Sequence, residues 1–585
     1  MKKPYVVSAD IYLLLSKWTK ENDFVLPSKK FFKELREKFS LKMRTIFPVF
    51  EFVSEKEICS ELHRLVTKSN LPSISLDHVY FQENLQLETT RLVDINLETI
   101  KEPGHRTGTP AINLQLQKLK TLGIKDVVLV DDVIYSGNGM LWAIDKLKEC
   151  NINVKSICVG IGVGMGVKLL TEFNYPVHCV RLFEEVIDEL CERDFYFIPG
   201  SGHLRRIGQE DFRVPYFKPF GKPNKWASIP DEEELDFSIF CIQQNISLFE
   251  EIEKCSGKKI LCKDLGFNIL GLPKNGTRFV DVIRNIQAKL IEQKLIVEKL
   301  EKILKATYIG EYSVGHQEAT ISRFKTISDN QCLVVKSACS KSINSDIKDN
   351  ILGYKKISEA GGSEIVPTKL KEFGVNSNIA LVMVDLGLCF KHTSKDISDY
   401  QVMGNSFLKI VKKTVVGDKE KNYIRPSMLE VKKYISNYLA QMTTLGSNLT
   451  ENINSWNPDL DFDFASLMLL DFTPDNVFIR NGQIYFIDPW KQVSYLGHPA
   501  VSLGQFSTLA HDVYNLPFSK EGKVFLHELA IKEVSKILKC SESVSENAFC
   551  MGAILQYTLS AYVRRESDKT RANELLLKAN EIITR

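Results

Sequence analysis

Two short stretches hold the residue types that phosphate chemistry needs. The first is VVLVDDVIYSGNGM, Val127 to Met140: an apolar run, the adjacent carboxylates Asp131 and Asp132, the spacer Val133, Ile134 and Tyr135, then Ser136, Gly137, Asn138 and Gly139. The apolar run reads as a buried strand, which puts the acids at its carboxyl end, where ligands bind in open α/β sheets. Gly137 and Gly139 let backbone amides turn inward, and with the following helix N-terminus they make an anion cradle that suits a phosphate. Ser136 adds a hydroxyl, and the two acids are placed to accept from sugar hydroxyls or to hold magnesium through its waters. The second stretch is LMLLDFTPDNVFIRNGQIYFIDPW, Leu467 to Trp490, with Asp471, then Asn476, then a strand ending at Asp488. Moving a phosphoryl group needs a carboxylate to orient the attacking hydroxyl and oxygen ligands for magnesium, and these three residues supply that set.

At 585 residues the chain is too long for one hydrophobic core, so two large domains are expected. Hydrophobic residues at 44% and charged residues at 25% exclude a disordered or fibrous chain. A net charge of +3 gives no footprint for nucleic acid. The apolar run near the N-terminus is short and interrupted by Asp10, and no run approaches about 18 apolar residues, so neither a signal peptide nor a membrane span is expected. The 13 cysteines are scattered singly, as for reduced thiols in a cytoplasm.

From Leu85 onward strands and helices alternate in the manner of a doubly wound parallel sheet. The segment Val214 to Pro230, rich in Pro, Gly and aromatics, reads as a linker or an active-site cover. Apolar residues at Phe279, Ile283, Ile286, Leu290, Val297, Leu300 and Leu304 predict one long helix, placed as a domain connector. After it, ATISRFKTI and QCLVVKSA predict a hairpin, and the remainder turns helical.

The first stretch resembles the phosphoribosylpyrophosphate (PRPP) motif of type I phosphoribosyltransferases, with Gly139 where the family's last Thr stands. The resemblance implies that Asp131 to Gly139 bind PRPP with magnesium. It also implies that a mobile basic loop, here Ile100 to Pro110 with Lys101, His105 and Arg106, closes over the pyrophosphate. The segment Arg193 to Arg206, with Gly200 and Gly202, is a further ligand candidate, and Tyr135, Arg205, Arg206 and Trp226 are candidates for touching an acceptor.

The second stretch resembles the catalytic loop and metal-binding aspartate of aminoglycoside phosphotransferases and choline kinases, with Leu469 where the family has His. The resemblance implies that Asp471 is catalytic and that Asn476 and Asp488 hold magnesium. It places Lys336 on the nucleotide phosphates, Glu359 as its partner, and Asp385 at the end of an adenine hinge strand, Ile379 to Gly387. The block Tyr495 to Phe506 carries Ser502 where an acid is common, and Ile309 to His316 is the candidate glycine loop.

The expected architecture is therefore α/β: a doubly wound phosphoribosyltransferase-like domain over 1–235, a helical connector over 236–306, and an α+β bilobal kinase-like domain over 307–585. The expected function is a bifunctional, cytoplasmic transferase using PRPP and ATP on small molecules, with homo-oligomers left open. The alternatives are a non-catalytic regulator that senses PRPP and ATP, and a phosphoribosyltransferase carrying a protein kinase or pseudokinase.

Overall fold

The computed structural model describes residues 3–584, leaving out 83–84, 95–96, 208–209, 313–319, 338–340, 368–370, 376–377, 418–423, 443–446 and 566–567. The fold is mixed α/β, and the chain divides into two compact units, Met1–Glu298 and Lys299–Arg585. Among the described residues no helix is long and apolar enough to cross a membrane, and every cysteine is unbridged.

In the first unit, β1 (Tyr5–Ser8) runs parallel between β2 (Phe50–Val53) and β9 (Asp188–Cys191). A second parallel sheet has the order β3 (Ser73–Ser75), β6 (Asp126–Ile134), β7 (Asn153–Val163), β8 (Val177–Phe183). Residues alternate across a strand, and β6 uses both faces. Val127 and Leu129 pack with Leu116, Met140, Ile144 and Leu147, while Val128 and Val130 pack with Ile58, Leu62 and Val66 from the other side. All four strand residues are fully buried, which is why the strand reads as a continuous apolar run.

The third sheet, a mixed one, has the order β11 (Glu210–Val214), β10 (His203–Ile207), β4 (Thr89–Val93), β5 (Thr99–His105). The expected basic loop is thus largely a strand: Lys101 lies exposed on β5, which pairs antiparallel with β4. Pro103 is tolerated because β5 is an edge strand, where a missing N–H breaks no ladder.

Two further expectations change. Val214 to Pro230 is neither linker nor open cover, because Tyr216, Phe217 and Ala227 are fully buried and Trp226 nearly so. Residues 236–298, expected within a connector, belong to the first unit. On the helix Glu234–Ser256 the buried Asn245 accepts from Phe197 N at 2.8 Å and donates to Phe195 O at 3.0 Å. The long helix Phe279–Leu304 packs on that one through Gln287 with Gln243 and Lys294 with Asp236.

In the second unit, β12 (Ala306–Glu311), β13 (Thr320–Thr326), β14 (Cys332–Ser337), β16 (Asn378–Val384) and β15 (Lys371–Val375) form an antiparallel sheet in that order, with the predicted hairpin at β13 and β14. Val334 of β14 and Leu381 and Met383 of β16 pack against Ile347 and Tyr354 of the helix Lys341–Ile357. Lys336, two residues on from Val334, faces the same helix. A larger helical core follows, and the hairpin Val477–Arg480 with Gln483–Phe486 projects the segment that ends at Asp488.

Candidate functional site

In the first unit the site grows out of β6. Asp131 and Asp132 follow the four buried residues, and the strand runs on through Ile134, with Asp131 paired to Val159. The chain then turns at Gly137, whose φ is 80°, and the helix Asn138–Glu149 begins at once. A Cβ at Gly137 would meet the Gly166 carbonyl at 3.0 Å, so both conformation and space require glycine there. Ser136 Oγ accepts weakly from Asn138 N at 3.4 Å. Gly139 is different: nothing lies within 4 Å of a Cβ built on it.

Arg193, which the sequence reading placed only within a broad ligand segment, organises the acids. Its Nη2 donates to Asp132 Oδ2 at 2.7 Å, its Nη1 to Asp10 Oδ2 at 2.7 Å, and its backbone N–H to Asp10 Oδ1 at 2.8 Å. Asp131 Oδ1 accepts from Asp132 N at 2.9 Å. Burial, the neighbouring Asp132 and Asp77 push Asp131 well above the ordinary carboxyl range. Burial opposes ionisation of Asp132 as well, but Arg193 outweighs it and holds that carboxyl below its usual value. The two adjacent carboxyls therefore differ in tendency, Asp131 disfavouring and Asp132 favouring the ionised form, which suits them to the hydroxyls of a diol.

The basic residues separate. Arg106 is drawn inward, with Nε on Glu88 Oε2 at 2.8 Å and Nη1 3.4 Å from His78 Nε2. His105 Nε2 lies 2.9 Å from Arg206 Nη1, and Arg206 also donates to the His105 carbonyl. Gly200 and Gly202 adopt left-handed φ of 85° and 65°. Tyr135 is exposed beside the turn, and Arg205 is buried. Trp226 packs on His203 and Tyr216, so its ring is spent on the core rather than on an acceptor.

In the second unit Lys336 Nζ donates to Asp488 Oδ1 at 2.8 Å and to Asn350 Oδ1 at 3.0 Å, while Asn350 Nδ2 donates to Pro489 O at 3.2 Å. The expected partner Glu359 is elsewhere: it is exposed and pairs with Lys355, one helical turn away, because it lies beyond the end of the helix that faces Lys336. The sequence carries no charge signal at Asn350 by which that partner would be found. Asp385 closes the end of β16 by accepting from Tyr312 Oη at 2.7 Å, Arg323 Nε at 3.3 Å and Gly387 N at 2.9 Å. Of the candidate glycine loop, 313–316 lie outside the described residues.

Asp471 and Asp488 both adopt left-handed φ, 63° and 53°, a strained conformation that accumulates at functional turns. Asn476 Nδ2 donates to Asp471 O at 3.1 Å and Oδ2 at 2.8 Å. Burial and the nearby Asp488 push the Asp471 carboxyl up to about 8, partly offset by Asn476. The two departures at Leu469 and Ser502 meet in space: Leu469 is fully buried and its N–H donates to Ser502 Oγ at 2.9 Å. Gln492, unmarked by sequence reasoning, accepts from Leu470 N at 3.0 Å and donates to Met468 O at 3.1 Å. Serine and glutamine thus anchor this loop by its backbone.

Among the described residues no group of three or more His, Cys, Asp or Glu is arranged to hold a metal by itself. An amide oxygen at Asn476 and a carboxylate at Asp488 nevertheless fit magnesium, a hard cation that keeps several waters and shares its shell with substrate phosphates.

No family profile matches the chain, and no curated protein matches it. Solved structures do. The chain is similar in part to two kinds of transferase. An aminoglycoside-3'-phosphotransferase of type VIII shares 14% identity over 43% of this chain and 98% of its own, with a TM-score of 0.29. The ethanolamine kinase of Plasmodium vivax shares 14% over 54% and 90%, with a TM-score of 0.34. The orotate phosphoribosyltransferase of Aeropyrum pernix shares 15% over 22% and 70%, with a TM-score of 0.13.

Proposed function

We propose that the chain is a bifunctional transferase, with a PRPP-dependent phosphoribosyltransferase in the first unit and an ATP-dependent small-molecule kinase in the second. One observation carries the reading: each unit sets two aspartates together with a basic side chain bonded to one of them, Asp131 and Asp132 with Arg193, and Asp471 and Asp488 with Lys336.

In the first unit the turn 136–139 and the head of its helix cradle the 5-phosphate of the donor, and Asp131 and Asp132 hold the ribose hydroxyls. The C1–O bond to pyrophosphate breaks and a bond from C1 to the acceptor forms, with Arg106 as the cation that steadies the departing charge. In the second unit Lys336 meets the nucleotide phosphates, and Asn476 and Asp488 supply the oxygens for magnesium, which neutralises phosphate charge when bound. Asp471 receives the proton of the acceptor hydroxyl as that oxygen takes the terminal phosphoryl group and ADP departs. A carboxyl raised to about 8 is a strong enough base to take that proton in its ionised form, a form that magnesium bound beside it would favour. Fusion of the two units on one chain fits successive steps on one metabolite.

The test is crosswise binding to the full chain. Asp131→Asn with Asp132→Asn removes PRPP binding and leaves ATP binding, and Asp488→Ala does the reverse. Loss of both ligands in either variant, with the fold intact, refutes the division into two sites.

A further inference from the structure

An aspartate that opens a helix ordinarily caps it, its side chain accepting from the first free amides. Asp10, which stands immediately before the helix Ile11–Glu21, accepts no such bond. Glu192 caps that helix instead: its Oε2 accepts from Asp10 N at 3.2 Å and from Ile11 N at 3.4 Å. Glu192 is in turn gripped by Arg36, whose Nη2 donates to it at 2.9 Å and whose Nη1 donates to Glu55 at 3.0 Å. The fully buried Asp10 carboxyl is thereby released for another task. The parallel strands β1 and β9 end level, Ser8 opposite Cys191, so Asp10 and Arg193 each lie two residues past that pair and meet.

Asp10 fixes Arg193 twice, with Oδ1 on its backbone N–H at 2.8 Å and Oδ2 on Nη1 at 2.7 Å. The other arm of the fork, Nη2, donates to Asp132 Oδ2 at 2.7 Å. One guanidinium is thus clamped between an acid of the donor site and an acid that the donor reading leaves without a role. Burial, joined by Glu192, pushes the Asp10 carboxyl up to about 8 against the pull of Arg193, so this acid is kept at a desolvation cost. Magnesium at the acid pair would be held by carboxylate oxygens through its waters. Two of those four oxygens are already engaged, Asp132 Oδ2 by Arg193 and Asp131 Oδ1 by Asp132 N. The pair fits a fixed guanidinium better than a resident metal ion.

We propose that Arg193 is the built-in cation of the acid pair, that Asp10 is the positioning residue holding it there, and that the donor's ribose hydroxyls are therefore bound at Asp131 and Asp132 without magnesium. The ligand named rests on the donor reading of this unit. A guanidinium stays charged at any working pH, and its planar fork reaches two carboxylates at once, which the point charge of a lysine does not. Held by its own backbone and by two acids, it needs no ordering when the sugar arrives.

The experiment titrates the full chain with ribose 5-phosphate by calorimetry, once in EDTA and once in magnesium, beside its Arg193→Gln and Asp10→Asn variants. The wild type should bind with the same affinity in both buffers. Arg193→Gln should weaken binding in EDTA by roughly 10-fold, the low end for losing a charged hydrogen-bond partner. Magnesium should restore most of that loss, because the vacated Asp132 then has room for the ion. Asp10→Asn keeps an acceptor oxygen and loses the charge, so it should fall between the other two in EDTA and be repaired likewise. A purely structural loss would leave both variants weak in either buffer, and that result overturns the proposal. So does a wild type that binds ribose 5-phosphate only with magnesium, a comparison that needs no variant to fold. Silence from the wild type in both buffers ends the donor reading and the inference together, whereas dependence on magnesium ends the inference alone.

Discussion

Replacing Asp471 by Asn should stabilise the second unit at alkaline pH while abolishing phosphoryl transfer. The sign follows from protons. Burial and Asp488 raise the folded carboxyl to about 8 from the usual 3.8, so between those values the folded state holds a proton that the unfolded chain has released. Stability then falls as pH rises through that window, by about 1.4 kcal/mol per unit for a group that titrates fully. Asp471 is partly exposed, so between pH 6 and pH 8 we expect the wild type to lose about 2 kcal/mol that the variant keeps. In a unit of this size each kcal/mol moves the melting temperature by roughly 2–4 °C. The assay is thermal unfolding of wild type and variant at both pH values, following the transition that added ATP and magnesium shift. The melting temperatures should diverge by roughly 4–8 °C on going to pH 8, and the variant should lose about 100-fold or more in turnover, the contribution of a general base. Parallel pH dependence in the two proteins would refute the account of Asp471 as a carboxyl whose proton affinity is raised by its surroundings.

Asp488→Ala strips Lys336 of its only carboxylate partner among the described residues and should cost about 3 kcal/mol, the low end for breaking a buried pair, measured by urea unfolding. Asn350→Leu cuts the ties from Lys336 and to Pro489, and calorimetry should show ATP affinity reduced by about tenfold, from a loss of about 1–2 kcal/mol. Gly139→Thr enters open space and should change stability by less than about 1 kcal/mol. Its hydroxyl should tighten PRPP several-fold, about 1 kcal/mol, in the same titration.

What the sequence makes legible is local. Asp131, Asp132, Gly137 and Gly139 lie within nine residues of one another, and Asp471, Asn476 and Asp488 within eighteen, so strand, turn and helix grammar finds them together. The partners that tune them come from far along the chain: Arg193 is 61 residues from Asp132, and Lys336 is 152 from Asp488. Asn350 escapes notice because a neutral amide has no charge to match with a lysine, whereas Glu359 attracts it for the wrong reason. Pro103 and Gly104 make β5 look like a loop, yet an edge strand accepts both. The helix Phe279–Leu304 shows the periodicity of a connector. In the helix Glu234–Ser256, the buried Phe237, Phe249 and Asn245, the last bonded to the backbone at Phe195 and Phe197, show that it is part of the core.

The most direct test of the two-site account is calorimetric titration of the full chain with PRPP and, separately, with ATP, each with magnesium. Saturable binding of both, one equivalent each and neither displacing the other, is the predicted result. Competition between them, or silence from either, would contradict it.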